Sequence, residues 1–485
     1  MKNTSIWKGR RILSVLTALC LCCMALGGCG ARGAEEDGGD LIENAEQPGS
    51  DTGLSQERTH LTAAVLYKDQ SFTNMVEQFN ASNQEYYVEI QVYEATEWDG
   101  SDALERLTME ILAGGGPDII RLDEMSSPSF AAGKLLEDLY PYMEADEDFR
   151  LSDYYENVWE AFSLSGSLYT LVTSFGIDTF AGDIERLGTY VASRQMKDAD
   201  IHTWSIEEMM RCYRDLSGAA TGRVQLFPGD NKLSVVGDLC YSGMDQFVDW
   251  EEGTCSFEDE EFVKMLEFAN SFPEGIEIND DTSVMNMYLT GMALLYPVRV
   301  TDVWSVAQAE VVFPGKTVIY PGHPVREGDL TGTGAVAYPG DGFLSMNRNS
   351  RQKEGVWLFL KSCLSKEAQR NVLRIPVLRA VSEERLESAQ VPEYELVDGK
   401  EVPKVRSTVR FEGDDPVELT VVTAQNAAVF RSLVESVHRS ITLDSAMYNI
   451  VLEEAGSYFA GDRTAAEAAD VIQNRVSMYV GERVR

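Results

Sequence analysis

From Leu61 to Tyr67 the chain is apolar and strand-like, and Phe72, Met75, Val76 and Phe79 follow at the i, i+3, i+4, i+7 spacing of a helix packed on one face. Val88, Ile90 and Val92 then alternate with Glu89, Gln91 and Tyr93, the period of a half-buried strand. Leu104, Leu107, Ile111 and Leu112 mark a second helix, stopped by the glycine triplet Gly114 to Gly116, where a left-handed residue can cap it. Pro117-Asp118-Ile119-Ile120 reads as a third short strand. This βαβαβ order predicts an α/β fold with a largely parallel sheet, because parallel neighbours need a helical crossover. Ligands of such sheets gather at the carboxyl ends of the strands, which singles out Lys68 and Asp69 after the first strand and Asp123 to Ser126 after the third.

Further along, Ser205 and Glu208 stand in capping-box register before a helix carrying Ile206, Met209, Met210, Tyr213 and Leu216 on one face. Val356, Phe359, Leu360 and Cys363 mark another helix. The end of the chain is helical twice, over Ile450 to Phe459, closed by Gly461, and again after Thr464-x-x-Glu467 with Ala468, Ile472, Val476 and Tyr479. The C-terminal part is therefore expected to be helix-rich.

At 485 residues the chain exceeds one ordinary core, and about 150 residues per domain gives two or three. Hydrophobic residues at 44% and charged residues at 25% fit soluble globular domains. The 41 basic and 79 acidic residues leave a net charge of −38, which repels phosphate backbones and makes nucleic acid a poor ligand. Of eight cysteines, four lie in the first thirty residues, leaving Cys212, Cys240, Cys255 and Cys363 without C-x-x-C spacing. With only four histidines besides, a zinc site of the finger type is not supported. Cys240 and Cys255 form either a disulfide or two buried thiols. No H-E-x-x-H, G-x-S-x-G or P-loop pattern occurs, so neither a catalytic residue nor a cofactor is expected.

Lys2, Lys8, Arg10 and Arg11 precede an apolar run from Ile12 to Leu26, the two regions of a secretory signal. It ends in Leu26-Gly27-Gly28-Cys29, which resembles the bacterial lipobox and implies cleavage after residue 28 and lipidation of Cys29. Two acyl chains, at about 0.8 kcal/mol per buried methylene, would hold the mature chain stably on the extracellular face of the cell membrane. Residues 29–58 are rich in Gly, Ala, Glu, Asp and Ser with almost nothing large and apolar, and read as a flexible acidic linker.

The stretch ERLTMEILAGGGPDIIRLDEMSSPSFAAGKLLEDL, ending at Leu139, is similar to a segment of the extracellular solute-binding proteins of ABC importers, in the sugar-binding group that includes maltose-binding protein. Tyr169 to Ile177, Thr203-Trp204, Gly291 to Val298, Tyr338 to Met346 and the terminal YFAGDRTAAEAADVIQNRV resemble further segments of that group in the same order, across about residues 60 to 480. The resemblance implies a two-lobe periplasmic-binding-protein-like fold of type II, with residues 59–173 and 315–362 in the N-terminal lobe and 174–314 and 363–485 in the C-terminal lobe. It also implies a monomer that closes on a small solute and delivers it to ABC permease subunits. Sugars need aromatic platforms and charged hydrogen-bonding groups, so the implied site takes Tyr67, Lys68, Asp69 and Asp123 from the first lobe and Phe175, Tyr296, Arg299 and Trp304 from the crossing and second lobe. Tyr67 and Phe175 equally suit core positions, Asp69 suits a helix cap near Ser71, and Asp123 suits a solvated loop. Trp204 and Trp357, on helical faces, are assigned to packing. Leu122 stands where maltose-binding relatives place a tryptophan, and Tyr296-Pro297-Val298-Arg299 replaces their Gly-Pro-Trp, so maltose itself is not expected. A sensing lipoprotein that presents to a receptor kinase, or an extracellular hydrolase with paired carboxylates, are the competing readings.

Overall fold

The computed structural model describes residues 58–67, 69–94, 101–122, 127–193, 201–220, 222–275, 283–327, 334–340, 343–411, 415–441 and 444–483. The signal segment, Cys29 and almost all of the linker lie outside the described residues, as do Lys68 and Asp123.

The first sheet is built around Thr59–Val65, which pairs in parallel with Tyr86–Val92 on one side and with Ile119–Arg121 on the other. Phe343–Met346 adds antiparallel to Ile119–Arg121, and Leu171–Val172 completes the edge. The helices Gln70–Ser82 and Lys353–Cys363 meet on one face, where Phe72 and Phe79 stand edge-on to Phe359 with centroids 6.1 and 5.3 Å away. Asp69 caps the first of these, accepting a hydrogen bond from the Phe72 N–H at 2.7 Å. The helix Ser101–Leu112 runs into Gly114 at φ +86°, the left-handed turn its glycines anticipate.

The second sheet is centred on Ser174–Asp183, ten residues that are all buried. Tyr296–Val300 pairs antiparallel along one edge, with Ile375–Pro376 beyond it, and Val336–Pro339 pairs antiparallel along the other. Val318–Ile319 pairs with Gly182 and Asp183, and Arg439–Ser440 lies parallel to Val336–Ala337. The segment 315–362, expected in the N-terminal lobe, divides between the two sheets. Val318–Ile319 and Val336–Pro339 both pair with Ser174–Asp183, while Phe343–Met346 pairs in the first sheet. Strand partners more than a hundred residues apart leave no local mark at such a division.

Successive strand residues point to opposite faces, and along Ser174–Asp183 this alternation separates two cores. Phe175 and Ile177 belong to a core that runs without a break from Leu61, Ile119 and Leu344 in the first lobe to Val298, Val306 and Phe430 in the second. Phe180, on the other face, packs with Val336 and Tyr338 under Val235, Leu239, Met447, Val451 and Ile472. Among the described residues, the first lobe reaches this second core only at Ala132 and the partly buried Leu164. On the odd-numbered face of the crossing strand the lobes share one core; on the even-numbered face the apolar packing between them is confined to those two residues.

Cys212, Cys240, Cys255 and Cys363 are all free thiols, so the disulfide alternative falls. Burial pushes the Cys240 and Cys363 thiols up to about 12. No described helix is long and apolar enough to cross a membrane.

Candidate functional site

The strand register brings distant residues into rows on the even-numbered face, at the end of the second sheet where the chain crosses between lobes. Tyr338 pairs with Gly176, and Arg374 immediately precedes Ile375, the partner of Phe175, so Tyr338, Gly176 and Arg374 are neighbours. In the next row Val336 and Arg299 flank Asp178. A Cβ on Gly176 would lie 2.2 Å from Tyr338 Cζ, so glycine is what lets the phenol ring lie across the strand. The ring then faces two guanidiniums, Arg374 with Cζ 5.3 Å and Arg299 with Cζ 5.5 Å from its centroid. Arg299 also stands 6.0 Å from the ring centre of Tyr241, and its side chain is 56% exposed.

Asp178 lies behind this pair. Its Oδ2 is 3.6 Å from Arg299 Nε, and its Oδ1 is 3.2 Å from His323 Nε2. His323 Nδ1 in turn lies 2.7 Å from Ser242 Oγ, and the His323 ring is tilted against Phe180 with centroids 4.4 Å apart. A serine, histidine and carboxylate in series is also the constellation of many hydrolases. Here Ser242, His323 and Asp178 are 2%, 4% and 7% exposed, which leaves no approach for a substrate carbonyl to Oγ. The chain of contacts instead holds Asp178 in place. Asp238, half-buried on the helix Lys232–Gly243, has its carboxyl pushed up to about 7 by burial and then by the Asp178 charge, against the pull of Arg299.

At the edge of the same sheet end is a cavity of about 350 Å³, lined among others by Thr301, Asp302, Trp304, Arg374, Arg385 and Arg406. Most of its cations are engaged. Arg385 donates to the carbonyls of Arg374 and Val372 at 2.7 and 2.6 Å, Arg370 pairs with Glu384 at 2.9 Å, and Arg406 pairs with Glu393 while lying 5.7 Å over Trp304. No carboxylate among the described residues forms an ion pair with Arg374. A larger cavity of about 860 Å³, with Tyr142, Tyr169, Arg348 and Trp357 in its lining, sits where Asn347 and Arg348 leave the first sheet. That is the amino end of the parallel strands, whereas ligands of open α/β sheets bind at the carboxyl ends; the crossing region is therefore the stronger site. Among the described residues no group of three or more His, Cys, Asp or Glu is placed to hold a metal ion.

Of the residues expected from sequence, Arg299 stands in the cluster and Trp304 lines the adjoining cavity. Tyr67, 49% exposed, and Asp69 lie at the carboxyl end of the first strand, where Asp69 both caps its helix and meets Arg121 at 3.2 Å. Two expectations need correction. Phe175 is 0% exposed and edge-on to Tyr155 at 5.9 Å, a core residue on the odd-numbered face. Tyr296 is three residues from Arg299, an odd spacing in a strand, so it faces the opposite side and packs edge-on to Tyr288 at 5.7 Å. Gly176, Asp178, Asp238, Tyr241, Tyr338 and Arg374 were not anticipated. The one legible signal was Asp178, an acid inside the otherwise apolar run Phe175 to Ala181.

No family model matches the sequence, and comparison with curated proteins returns no match. Solved structures do match. The sugar-binding protein MalE from Xanthomonas citri covers 88% of this chain and 98% of its own at 15% identity, with a TM-score of 0.52. A periplasmic oligogalacturonide binding protein from Yersinia enterocolitica covers 88% and 100% at 13% identity, TM-score 0.53. An extracellular solute-binding protein of family 1 from Alicyclobacillus acidocaldarius covers 88% and 99% at 13% identity, TM-score 0.50. With two sheets joined by crossing strands and a likeness that spans whole chains, this protein has the two-lobe, type II fold of the maltose-binding-protein-like solute-binding proteins.

Proposed function

We propose that this chain is an exported, lipid-anchored protein that captures a carbohydrate between its lobes, on the even-numbered face of the crossing strand, and delivers it to an ABC importer. The observation that carries this reading is the thinness of the apolar packing between the lobes on that face alone, with a cluster of aromatic and charged side chains beside it. Closure about the crossing strands is hinge motion of the kind known in two-lobe binders. Sugar rings offer C–H faces to aromatics and hydroxyls to Arg and Asp, and a micromolar complex needs only about −8 kcal/mol. Among the structures of similar fold are ones described as binding sugar and oligogalacturonide. Anchoring rests on the Leu26-Gly27-Gly28-Cys29 sequence, and a leash from there to the folded body would keep captured solute near the membrane.

A thermal-shift screen of the mature chain, made with Cys29→Ser so that no lipid is attached, tests the reading. A ligand that binds only the folded state raises Tm, by about 2.7 kcal/mol of stability at a hundredfold excess over Kd. At least one mono- or oligosaccharide is expected to raise Tm in a saturable way. A flat response to the saccharides together with a shift by amino acids or peptides contradicts it.

A further inference from the structure

We infer that His323 is a positioning residue for solute capture: it braces Asp178, and Asp178 keeps the Arg299 guanidinium over the Tyr338 ring, where the solute meets it. This deepens the capture reading and rests on it. Arg299 stands beside Asp178 in the strand register, with a side chain 56% exposed, too open for packing alone to hold one rotamer. Its contacts include Asp178 Oδ2 at 3.6 Å from Nε and the ring centre of Tyr338 at 5.5 Å from Cζ. An ion pair of that length steers the guanidinium only if the carboxylate cannot turn. The other oxygen, Oδ1, is where turning is stopped, 3.2 Å from His323 Nε2.

The chemistry of the partners places the hydrogens. A carboxylate accepts and does not donate, so Nε2 carries its hydrogen and donates to Asp178. Ser242 Oγ lies 2.7 Å from Nδ1 and 3.1 Å from the Asp238 carbonyl oxygen. The hydroxyl gives its hydrogen to Nδ1 of a neutral ring, or turns it to the carbonyl and accepts from a charged one. In both states the Nε2 hydrogen stays on Asp178, and Ser242 selects the tautomer that braces it. The backbone fixes the ring as firmly. Gly322 has φ +67°, and a Cβ there would stand 2.3 Å from the Gly334 carbonyl carbon, so glycine lets the two segments meet and the His323 N–H donate to the Gly334 carbonyl at 2.9 Å. Trp204 Nε1 donates to the Gly322 carbonyl at 2.9 Å, and Phe180 lies against the imidazole. At 4% exposure His323 is closed off from the solute and acts through the two residues between. An arginine held in this way has less rotamer freedom left to lose when the solute binds.

The test has two arms on the mature Cys29→Ser chain. Nitrogen-15 NMR of the four histidines, with the His323 signal assigned by its loss in His323→Gln, is expected to show the hydrogen on Nε2; a ring with its hydrogen on Nδ1 alone overturns the brace before any solute is added. Calorimetry follows with glucose, galactose, maltose and digalacturonate. Whichever of these the unaltered protein binds is expected to bind His323→Phe, which keeps a ring but loses both hydrogen bonds, about tenfold more weakly or worse. His323→Gln, whose amide can still donate to Asp178, is expected to stay within about threefold. Thr464→Ala, which removes a helix cap outside the site, is expected to lose stability and keep its affinity. An equal loss of affinity in Thr464→Ala and His323→Phe would make the effect one of stability and overturn the inference. If His323→Phe binds as tightly as the unaltered protein, the inference falls while the capture reading stands. If none of the four saccharides binds the unaltered protein, both fall.

Discussion

A methyl group at residue 176 would stand 2.2 Å from Tyr338 Cζ, so Gly176→Ala forces either the phenol ring off its two arginines or the strand off its register. Overpacking of this kind costs about 1–3 kcal/mol, and chemical denaturation of the variant is expected to show a loss in that range together with weakened saccharide binding. Asp238 makes a prediction of opposite sign. Its carboxyl titrates at about 7 in the folded chain against 3.8 when free, so between those values the folded state keeps a proton that the unfolded state has lost. Stability therefore falls as pH rises from about 4 to 7, and the penalty persists above. Asp238→Asn removes it. Because the group is only half-buried by surface area, solvent screening trims the effect to on the order of 1–2 kcal/mol, read as a higher denaturation midpoint at pH 8 and no gain at pH 4. Neither residue stood out in the sequence. Arg299 did, as part of the Tyr296-Pro297-Val298-Arg299 segment that stands where the resembling group has Gly-Pro-Trp, but the company it keeps comes from positions 176, 178, 338 and 374, which only strand pairing brings together.

Elements whose signals are local were legible. The helix Ile206–Ala219 carries the capping box its sequence predicts, with the Glu208 N–H donating to Ser205 Oγ at 3.1 Å and the Ser205 N–H donating to Glu208 Oε2 at 2.8 Å. Ser205→Ala leaves the Glu208 N–H without that acceptor and is expected to cost about 1 kcal/mol in urea denaturation. The first three strands and their helices were likewise readable from apolar periodicity, and Gly114 from its place after Leu112. Short strands such as Val318–Ile319 and Ile375–Pro376 carry no period of their own. They exist because Ser174–Asp183 offers them a partner, and nothing local marks them as members of the second sheet. Phe175 and Tyr296 failed for a related reason: strand alternation fixes which face a side chain takes, and a motif read as a string of neighbours does not respect it.

At the scale of the molecule, one strand separates a face on which the lobes are welded by continuous apolar packing from a face on which they are not. Such a joint bends rather than slides, since opening on the even-numbered face leaves the core on the odd-numbered face intact. Protein interiors are close-packed and resist continuous deformation, so motion is expected between two positions, open and closed, with solute bridging the lobes in the closed one. The direct measurement is the radius of gyration by small-angle X-ray scattering of the mature Cys29→Ser chain, with and without a saturating concentration of the saccharide that most raises its Tm. Capture between the lobes predicts a smaller radius with solute, and no change with a saccharide that leaves Tm untouched. An unchanged radius at proven saturation would contradict hinged closure and place the solute elsewhere on the protein.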